Sequence, residues 1–233
     1  MKLSGSTVLV TGANRGIGRH FAAVLRERGA RKVYATARRP EEIDLPGVEA
    51  LALDITDPDA VAAVVRVAGD VDVLINNAGI GGTEGLVAGD LGEIRRQFDT
   101  HFFGTLGMVR AFAPVLAANG GGAIVNMLSV LSWQAVTSAG GYAAAKAAQR
   151  SLTDNVRLEL AGQGTLVSGV YLGATDTDMM AGWDIPKNDP AEVVRIVLDG
   201  IETDQFEIVV DEASAAVHAG LSGDVRSRYP ELG

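Results

Sequence analysis

A glycine-rich turn between a short apolar strand and a helix is the feature that most restricts the fold of this chain. Residues 6–11 form a β-type run, and residues 16–28 place apolar side chains at helical spacing before Gly29. Gly12, Gly16 and Gly18 lie between the two or open the helix. Glycines there allow a tight turn and let a pyrophosphate approach the free N–H groups of the helix. The segment predicts a dinucleotide-binding turn.

The rest of the chain alternates strand and helix patterns. Further strands are predicted at residues 32–37, 48–53, 71–75, 123–127, 165–172 and 206–210. Helices are predicted at residues 58–68, 91–118 (with a bend at Pro114) and 141–161, and another begins at Asp189-Pro190. Continuous apolar strands joined by helices favour a parallel sheet covered on both faces. We therefore expect one α/β domain over residues 1–233, with a doubly wound sheet of about seven strands.

Composition excludes several classes of function. The net charge is −9, which argues against nucleic-acid binding because phosphate contacts need cations. The chain has no cysteine, so thiolate chemistry and Cys-zinc sites are impossible, and we expect no metal. No apolar run approaches the ~20 residues of a membrane span, and no signal peptide is evident. These features favour a cytoplasmic protein without a membrane partner.

The end of the second strand indicates which dinucleotide binds. NAD sites usually place an acid there for the ribose hydroxyls, whereas this chain has Arg38-Arg39. Arg38 and Arg15 can donate charge-assisted hydrogen bonds to a 2′-phosphate. We therefore predict NADP(H) in preference to NAD(H). The alternative is that Arg38 and Arg39 are solvated loop charges.

Two later strand ends supply further candidates for the nucleotide site. Asp54-Ile55 follows the third strand, where Asp54 either accepts a hydrogen bond from the adenine or caps the next helix. Asn76-Asn77-Ala78-Gly79 ends the fourth strand, beside the first. Ligands bind at such a crevice in doubly wound sheets. Asn76, Ala78 and Gly79 are thus predicted to line it, although Asn side chains could instead tie the strands together.

Tyr142 and Lys146 are four residues apart on a predicted helix and so share a face. A free Tyr has a pKa of about 10, and a neighbouring ammonium and a cationic nicotinamide ring both favour the phenolate. Tyr142 could then accept a proton from an alcohol or donate one to a carbonyl. Ser129, just past the fifth strand, could orient the substrate oxygen, and we prefer it to Ser132 for this role.

Together these motifs resemble the short-chain dehydrogenase/reductase family. The matching segments are Thr11-Gly12-Ala13-Asn14-Arg15-Gly16-Ile17-Gly18, Asn76-Asn77-Ala78-Gly79, Ser129 and Tyr142-x-x-x-Lys146. The resemblance implies a seven-stranded Rossmann-type sheet, Tyr142 as acid/base, Lys146 on the nicotinamide ribose and Ser129 on the substrate. It also implies that the glycine-rich segment, including Asn14 and Ile17, contacts the cofactor, and that the chain forms a homodimer or homotetramer.

Three positions depart from the family pattern. His101 replaces an Asn of the proton relay; it either holds a water or carries the proton, or it is a packed helix residue. Leu172-Gly173 replaces Pro-Gly, while Gly173, Thr175 and Thr177 remain in the loop that the family uses for the nicotinamide and phosphates. Residues 211–233 form an atypical tail, and residues 212–221 predict an extra helix.

Residues 178–186, which contain two Met and Trp183, are expected to cover the substrate. They predict a mobile apolar lid, or else a surface loop whose Trp packs down on the body. Trp133 could add an aromatic wall. We therefore expect an NADP(H)-dependent oxidoreductase acting on a small hydrophobic carbonyl or alcohol. The alternative is a non-catalytic NAD(P)-sensing regulator, while a sugar-nucleotide epimerase would need a larger C-terminal lobe.

Overall fold

The computed structural model describes residues 1–232, which contain a seven-stranded parallel sheet. The strands are β1 Thr7–Thr11, β2 Lys32–Ala37, β3 Glu49–Ala52, β4 Val73–Asn76, β5 Gly122–Met127, β6 Thr165–Tyr171 and β7 Glu207–Val209. The helices are α1 Gly16–Glu27, α2 Pro58–Val67, α3 Leu91–Phe98, α4 Thr105–Ala118, α5 Gly140–Leu160, α6 Pro190–Glu202, α7 Glu212–Ala219 and α8 Val225–Arg228. The predicted strands and helices are thus confirmed with ends displaced by one or two residues, except the helix predicted for residues 91–118.

Helices cover both faces of the sheet, as the continuous apolar strands require. On β1, Val8 and Val10 face the layer of α1 and α6, whereas Leu9 faces the layer of α2, α4 and α5. Phe21 on α1 and Phe112 on α4 are fully buried, one in each layer. Alternation along each strand therefore builds two cores from one sheet.

The strand order is β3-β2-β1-β4-β5-β6-β7, so the chain reverses direction across the sheet between β1 and β4. At such a switch point the loops after neighbouring strands diverge and leave a crevice at the carboxyl edge. The glycine-rich turn follows β1 and the Asn-Ala-Gly turn follows β4. The fold thus places both motifs at one crevice.

The helix predicted for residues 91–118 is divided. A π-helical segment, Asp99–Gly104, separates α3 from α4, and Pro114 lies within α4. The departure from α-helical geometry is therefore at 99–104, before the predicted bend. By length and composition alone Leu91–Ala118 could cross a membrane, a test that core helices of soluble proteins also pass. Its α4 part packs Phe112 and Leu116 into the core.

Candidate active site

The glycine-rich turn has the geometry of a phosphate cradle. Gly12 has φ +67°, and a Cβ there would lie 2.9 Å from the Ala78 Cα. Gly16 has φ +53°, a conformation that other residues rarely adopt. Arg15 precedes α1 without capping it through its side chain, and the first turn holds no acid. The N–H groups at the start of α1 therefore remain available to an anion, which fits a dinucleotide pyrophosphate.

Gly18 has a different role from the one predicted. It does not line the cavity at the crevice. A Cβ on Gly18 would lie 2.1 Å from the Gly12 carbonyl oxygen and 2.5 Å from the Asn77 Nδ2. The residue lets α1 pack closely on the turn rather than contacting a ligand.

Asn77, not Asn76, lies at the crevice. Asn77 Nδ2 donates to the Thr11 carbonyl at 2.9 Å, and its side chain lines the cavity with Ala78 and Gly79. Asn76 is buried and donates to the Asn126 Oδ1 at 2.8 Å, between β4 and β5. This placement corrects the expectation that Asn76 lines the crevice, and it leaves Asn76 with the tying role that was the alternative.

Arg38 and Asp54 lie together in the part of the cavity beside the ends of β2 and β3. Burial alone would raise the pKa of Asp54, but hydrogen bonds from Thr56 and the charge of Arg38 lower it on balance. Asp54 Oδ1 accepts from the Thr56 N–H at 2.9 Å, whereas Asp57 caps α2. The alternative that Asp54 caps the helix is therefore wrong. Ile55 and Asn14 also line the cavity.

The predicted catalytic side chains converge on the same cavity. Ser129, Tyr142 and Lys146 all line it. The Ser129 hydroxyl accepts from the Leu131 N–H at 3.1 Å, so its own hydrogen can be donated to the Tyr142 oxygen or to a substrate. Ser132 does not line the cavity, and its Oγ accepts from the Ser129 N–H at 3.3 Å. Ser132 therefore supports Ser129 instead of replacing it.

Burial shifts both titrating groups on α5. It raises the pKa of Tyr142 to about 12, with the Ser129 hydroxyl acting in the opposite direction. It lowers the pKa of Lys146 to about 7. Part of Tyr142 still faces the crevice, so solvent moderates the shift. In the protein without a nucleotide, burial thus has a larger effect on the pKa of Tyr142 than any neighbouring group. The expectation that an ammonium and a nicotinamide ring favour the phenolate concerns the nucleotide complex and stays a prediction.

Lys146 is held by partners that the sequence analysis missed. Its Nζ donates to the Met127 carbonyl at 2.7 Å and to the Gln149 Oε1 at 2.9 Å. Gln149 Nε2 in turn donates to the Thr105 Oγ1 at 2.9 Å. Gln149 follows Lys146 by three residues on α5, a spacing that could have identified it.

His101 is buried in the π-helical segment and packs edge-on against Tyr142, with ring centroids 5.2 Å apart. Its Nε2 lies 2.9 Å from the Ile80 carbonyl oxygen, which only accepts, so Nε2 carries the proton. Burial and the Lys146 charge hold the pKa of His101 well below its usual range. His101 is therefore a neutral side chain at the cavity wall, with no partner for its Nδ1 in residues 1–232.

The other wall comes from the loop after β6. Gly173, Thr175 and Thr177 line the cavity, and the Thr177 methyl group would lie 3.3 Å from a Cβ on Gly16. Beyond them Met179, Trp183 and Ile185 line the cavity while remaining 45–49% exposed. This exposure favours the lid over a Trp packed on the body.

Trp133 does not form the expected aromatic wall. Its ring stacks on Tyr171 of β6 with ring centroids 3.7 Å apart, and its centroid lies 4.6 Å from that of the His218 ring of α7. It is absent from the cavity lining. The predicted tail helix therefore packs on Trp133 behind the active-site strand.

Comparison with known proteins identifies the family. Residues 6–188 match the family model of the short chain dehydrogenases. The chain is 33% identical over 205 residues to D-erythrulose reductase from Gallus gallus, covering 85% of this chain and 83% of that protein. Its match to short-chain dehydrogenase PC-15 from Penicillium crustosum is 37% identical and covers 73% of this chain and 66% of that protein.

The structural comparison extends over the whole chain. A short chain dehydrogenase from Burkholderia cenocepacia J2315, solved in complex with NADP, superposes with a TM-score of 0.95 at 36% identity. The superposition covers 100% of this chain and 99% of that one. The chain therefore belongs to the short-chain dehydrogenase family, whose members are oxidoreductases with a nucleotide-binding Rossmann fold.

Proposed function

We propose that this protein is an NADP(H)-dependent oxidoreductase that interconverts a carbonyl and an alcohol by hydride transfer, with Tyr142 as the acid/base. The observation that carries the proposal is one cavity of about 1870 Å³ that contains both the glycine cradle and Ser129, Tyr142 and Lys146. Pockets for a single small ligand measure roughly 300–1,000 Å³. This cavity has room for a dinucleotide and a substrate together.

NADP(H), when bound, supplies the hydride, and the protein supplies alignment and the proton. The Ser129 hydroxyl donates a hydrogen bond to the substrate oxygen and fixes it beside Tyr142. Tyr142 gives its phenolic proton to that oxygen as the carbonyl carbon is reduced. Because the pKa of Tyr142 is raised to about 12, the phenol is protonated near neutral pH, as donation requires. Lys146 would bind the nicotinamide ribose when NADP(H) is bound.

Arg38 supports the preference for NADP(H). It follows β2, is exposed and lines the cavity. The end of β2 carries no acid at the position where NAD sites have one. Arg15 pairs with Asp178 at 3.3 Å through two exposed side chains. Since exposed ion pairs contribute about 0–1 kcal/mol, Arg15 can leave Asp178 for a phosphate at little cost.

The substrate class follows from the lid. Met179, Trp183 and Ile185 present apolar surface to the same cavity that Ser129 and Tyr142 line, which suits a small hydrophobic carbonyl or alcohol. We place the protein in the cytoplasm as a homodimer or homotetramer. Leu158, on the long helix α5, is an exposed apolar side chain and supports such an assembly.

The test is fluorescence titration of wild type, Arg38→Ala and Arg66→Ala with NADPH and NADH. Arg66 is an exposed arginine on α2 outside the cavity lining and is the matched control. Loss of a charged hydrogen-bond donor should weaken NADPH binding by about 10–100-fold and leave NADH binding unchanged. Equal loss for both nucleotides would remove the assignment of Arg38 to the 2′-phosphate.

Turnover is then tested with NADPH and a panel of apolar ketones and aldehydes. Tyr142→Phe should abolish reduction while keeping NADPH affinity, since the lost hydroxyl serves proton transfer. NADPH binding with no turnover of any carbonyl by the wild type would favour a nucleotide-sensing regulator. Failure to bind either nucleotide would refute both functions.

A further inference from the structure

The carboxylate of Asp211 joins three segments around the cavity. Asp211 follows β7 and is the N-cap residue of α7. Its Oδ2 accepts from the Gly173 N–H at 2.7 Å and from the Asn188 Nδ2 at 2.9 Å. Its Oδ1 accepts from the Ser214 N–H at 2.8 Å. One side chain thus ties the loop after β6, the end of the lid segment and the tail helix together.

The first of these bonds acts on the wall of the cavity. Gly173 opens the stretch that includes the cavity-lining residues Thr175 and Thr177. The residue before it, Leu172, accepts from the Val130 N–H at 2.9 Å, directly beside Ser129. Leu172 has no ring to restrict its φ as a proline would, so the backbone here depends more on hydrogen bonds for its conformation.

The second bond acts at the base of the lid. Asp176 N–H donates to the Asn188 carbonyl at 2.9 Å, and Asn188 N–H donates to the Ala174 carbonyl at 2.8 Å. These bonds join residues 174–176 to Asn188 and so bring together the two sides of the lid base, which flank the predicted lid at residues 178–186. Since Asp211 holds both Gly173 and Asn188, it fixes this base relative to β6.

The bonds require a carboxylate. Burial raises the pKa of Asp211, but donation from the Gly173 and Ser214 backbone and from Asn188 lowers it on balance. The group is therefore ionised near neutral pH, and hydrogen bonds to an ionised acceptor are the stronger kind. An Asn has one acceptor oxygen and could satisfy either the Oδ1 or the Oδ2 partners, but not both sets.

We propose that Asp211 is a positioning residue, which aligns the stretch of residues 173–177 and the base of the lid with Ser129 through its two carboxylate oxygens. Its effect on catalysis rests on the proposed function, because the aligned stretch would contact the nucleotide and the lid would cover the substrate. Its effect on backbone order does not depend on that function. The two can therefore be measured separately.

The test compares wild type, Asp211→Ser and Asp57→Ser by hydrogen–deuterium exchange without nucleotide. Serine is a good N-cap residue and preserves the start of α7, but its side chain is too short to reach Gly173 and Asn188. Asp57 caps α2 and lies outside the cavity lining, so Asp57→Ser makes the same change without a tie to the loop. Peptides covering residues 172–190 report the loop and the lid base.

We expect exchange in residues 172–190 to be at least about tenfold faster in Asp211→Ser and unchanged in Asp57→Ser, with similar urea midpoints for both. Unchanged exchange in Asp211→Ser would overturn the proposal whether or not the protein binds NADPH. If Asp211→Ser does not fold, Asn188→Ala removes the lid bond alone, and exchange confined to residues 174–188 must then accelerate. Where turnover is found, the KM for the carbonyl should rise several-fold more than kcat falls.

Discussion

Replacing Lys146 with Met should change how stability depends on pH. Lys146 is 5% exposed, and burial lowers its pKa from 10.5 to about 7. Between these two values the unfolded chain holds the proton while the folded chain releases it. Stability therefore rises with pH across this window, and the cost of burying the ammonium is fully present below pH 7.

The size of the effect follows from the shift. One pKa unit corresponds to about 1.4 kcal/mol, and the folded group is half ionised at about pH 7. Between about pH 7 and pH 9 the wild type should gain roughly 2 kcal/mol relative to Lys146→Met, which has no proton to lose. The absolute difference at one pH is less informative, because Met also leaves the Met127 carbonyl and Gln149 Oε1 without their donor.

The assay is urea unfolding of the nucleotide-free wild type, Lys146→Met and Lys2→Met at both pH values. Lys2 is exposed, so its loss should leave the pH dependence as in the wild type. Tyr142 does not interfere, because its pKa of about 12 lies above this range. If the free energies of unfolding of wild type and Lys146→Met run parallel with pH, Lys146 is not desolvated in the folded protein and the reasoning fails.

Three further substitutions test the site and its surroundings. Gly18→Ala should lower the free energy of unfolding by roughly 1–3 kcal/mol in urea, because its Cβ would lie 2.1 Å from the Gly12 carbonyl oxygen; wild-type stability would contradict that packing. His101→Phe should lower kcat about tenfold, because the Ile80 carbonyl loses its donor, while the shape of the pH–rate profile near neutrality stays the same. If a pKa seen in the pH–rate profile of the wild type disappears in His101→Phe, then His101 titrates during turnover. Trp133→Ala should destabilise the protein by about 3 kcal/mol in thermal or urea unfolding, because the stack on Tyr171 is lost. NADPH affinity should not change, since Trp133 does not line the cavity. Weaker NADPH binding would show that Trp133 does contribute to the cavity wall.

The fold and the convergence of the motifs could be predicted because they depend on local pattern. Apolar runs specify strands buried on both faces. Gly12 has a positive φ, which glycine adopts more readily than other residues, so its residue type indicates the tight turn. The i,i+4 spacing of Tyr142 and Lys146 brings them together on any helix. None of these features depends on which helices and strands pack against one another.

Residue positions and pKa values that depend on sheet register or on burial could not be predicted from the sequence. Asn76 is the last residue of β4 and is paired with Asn126 on β5, so its side chain bonds Asn126 on the face of the sheet that α5 covers, and the next residue faces the crevice. A shift of one residue exchanges the two faces of a strand. Trp133 stacks on a residue of β6, a contact that only the strand order reveals. The pKa values of Tyr142 and Lys146 depend on how deeply α5 is buried, which their spacing does not report.

Several side chains around the cavity, two of them at departures from the family pattern, hold backbone groups of its walls. A loop that lines a cavity exposes backbone groups that need partners. Here side chains supply them: His101 holds the Ile80 carbonyl, Gln97 donates to the Gly81 carbonyl at 2.9 Å, and Asp211 holds the Gly173 N–H. Each bond is to backbone at the wall of the cavity, outside the two apolar cores. Changing these side chains should therefore disorder the walls and weaken substrate binding before it reduces global stability.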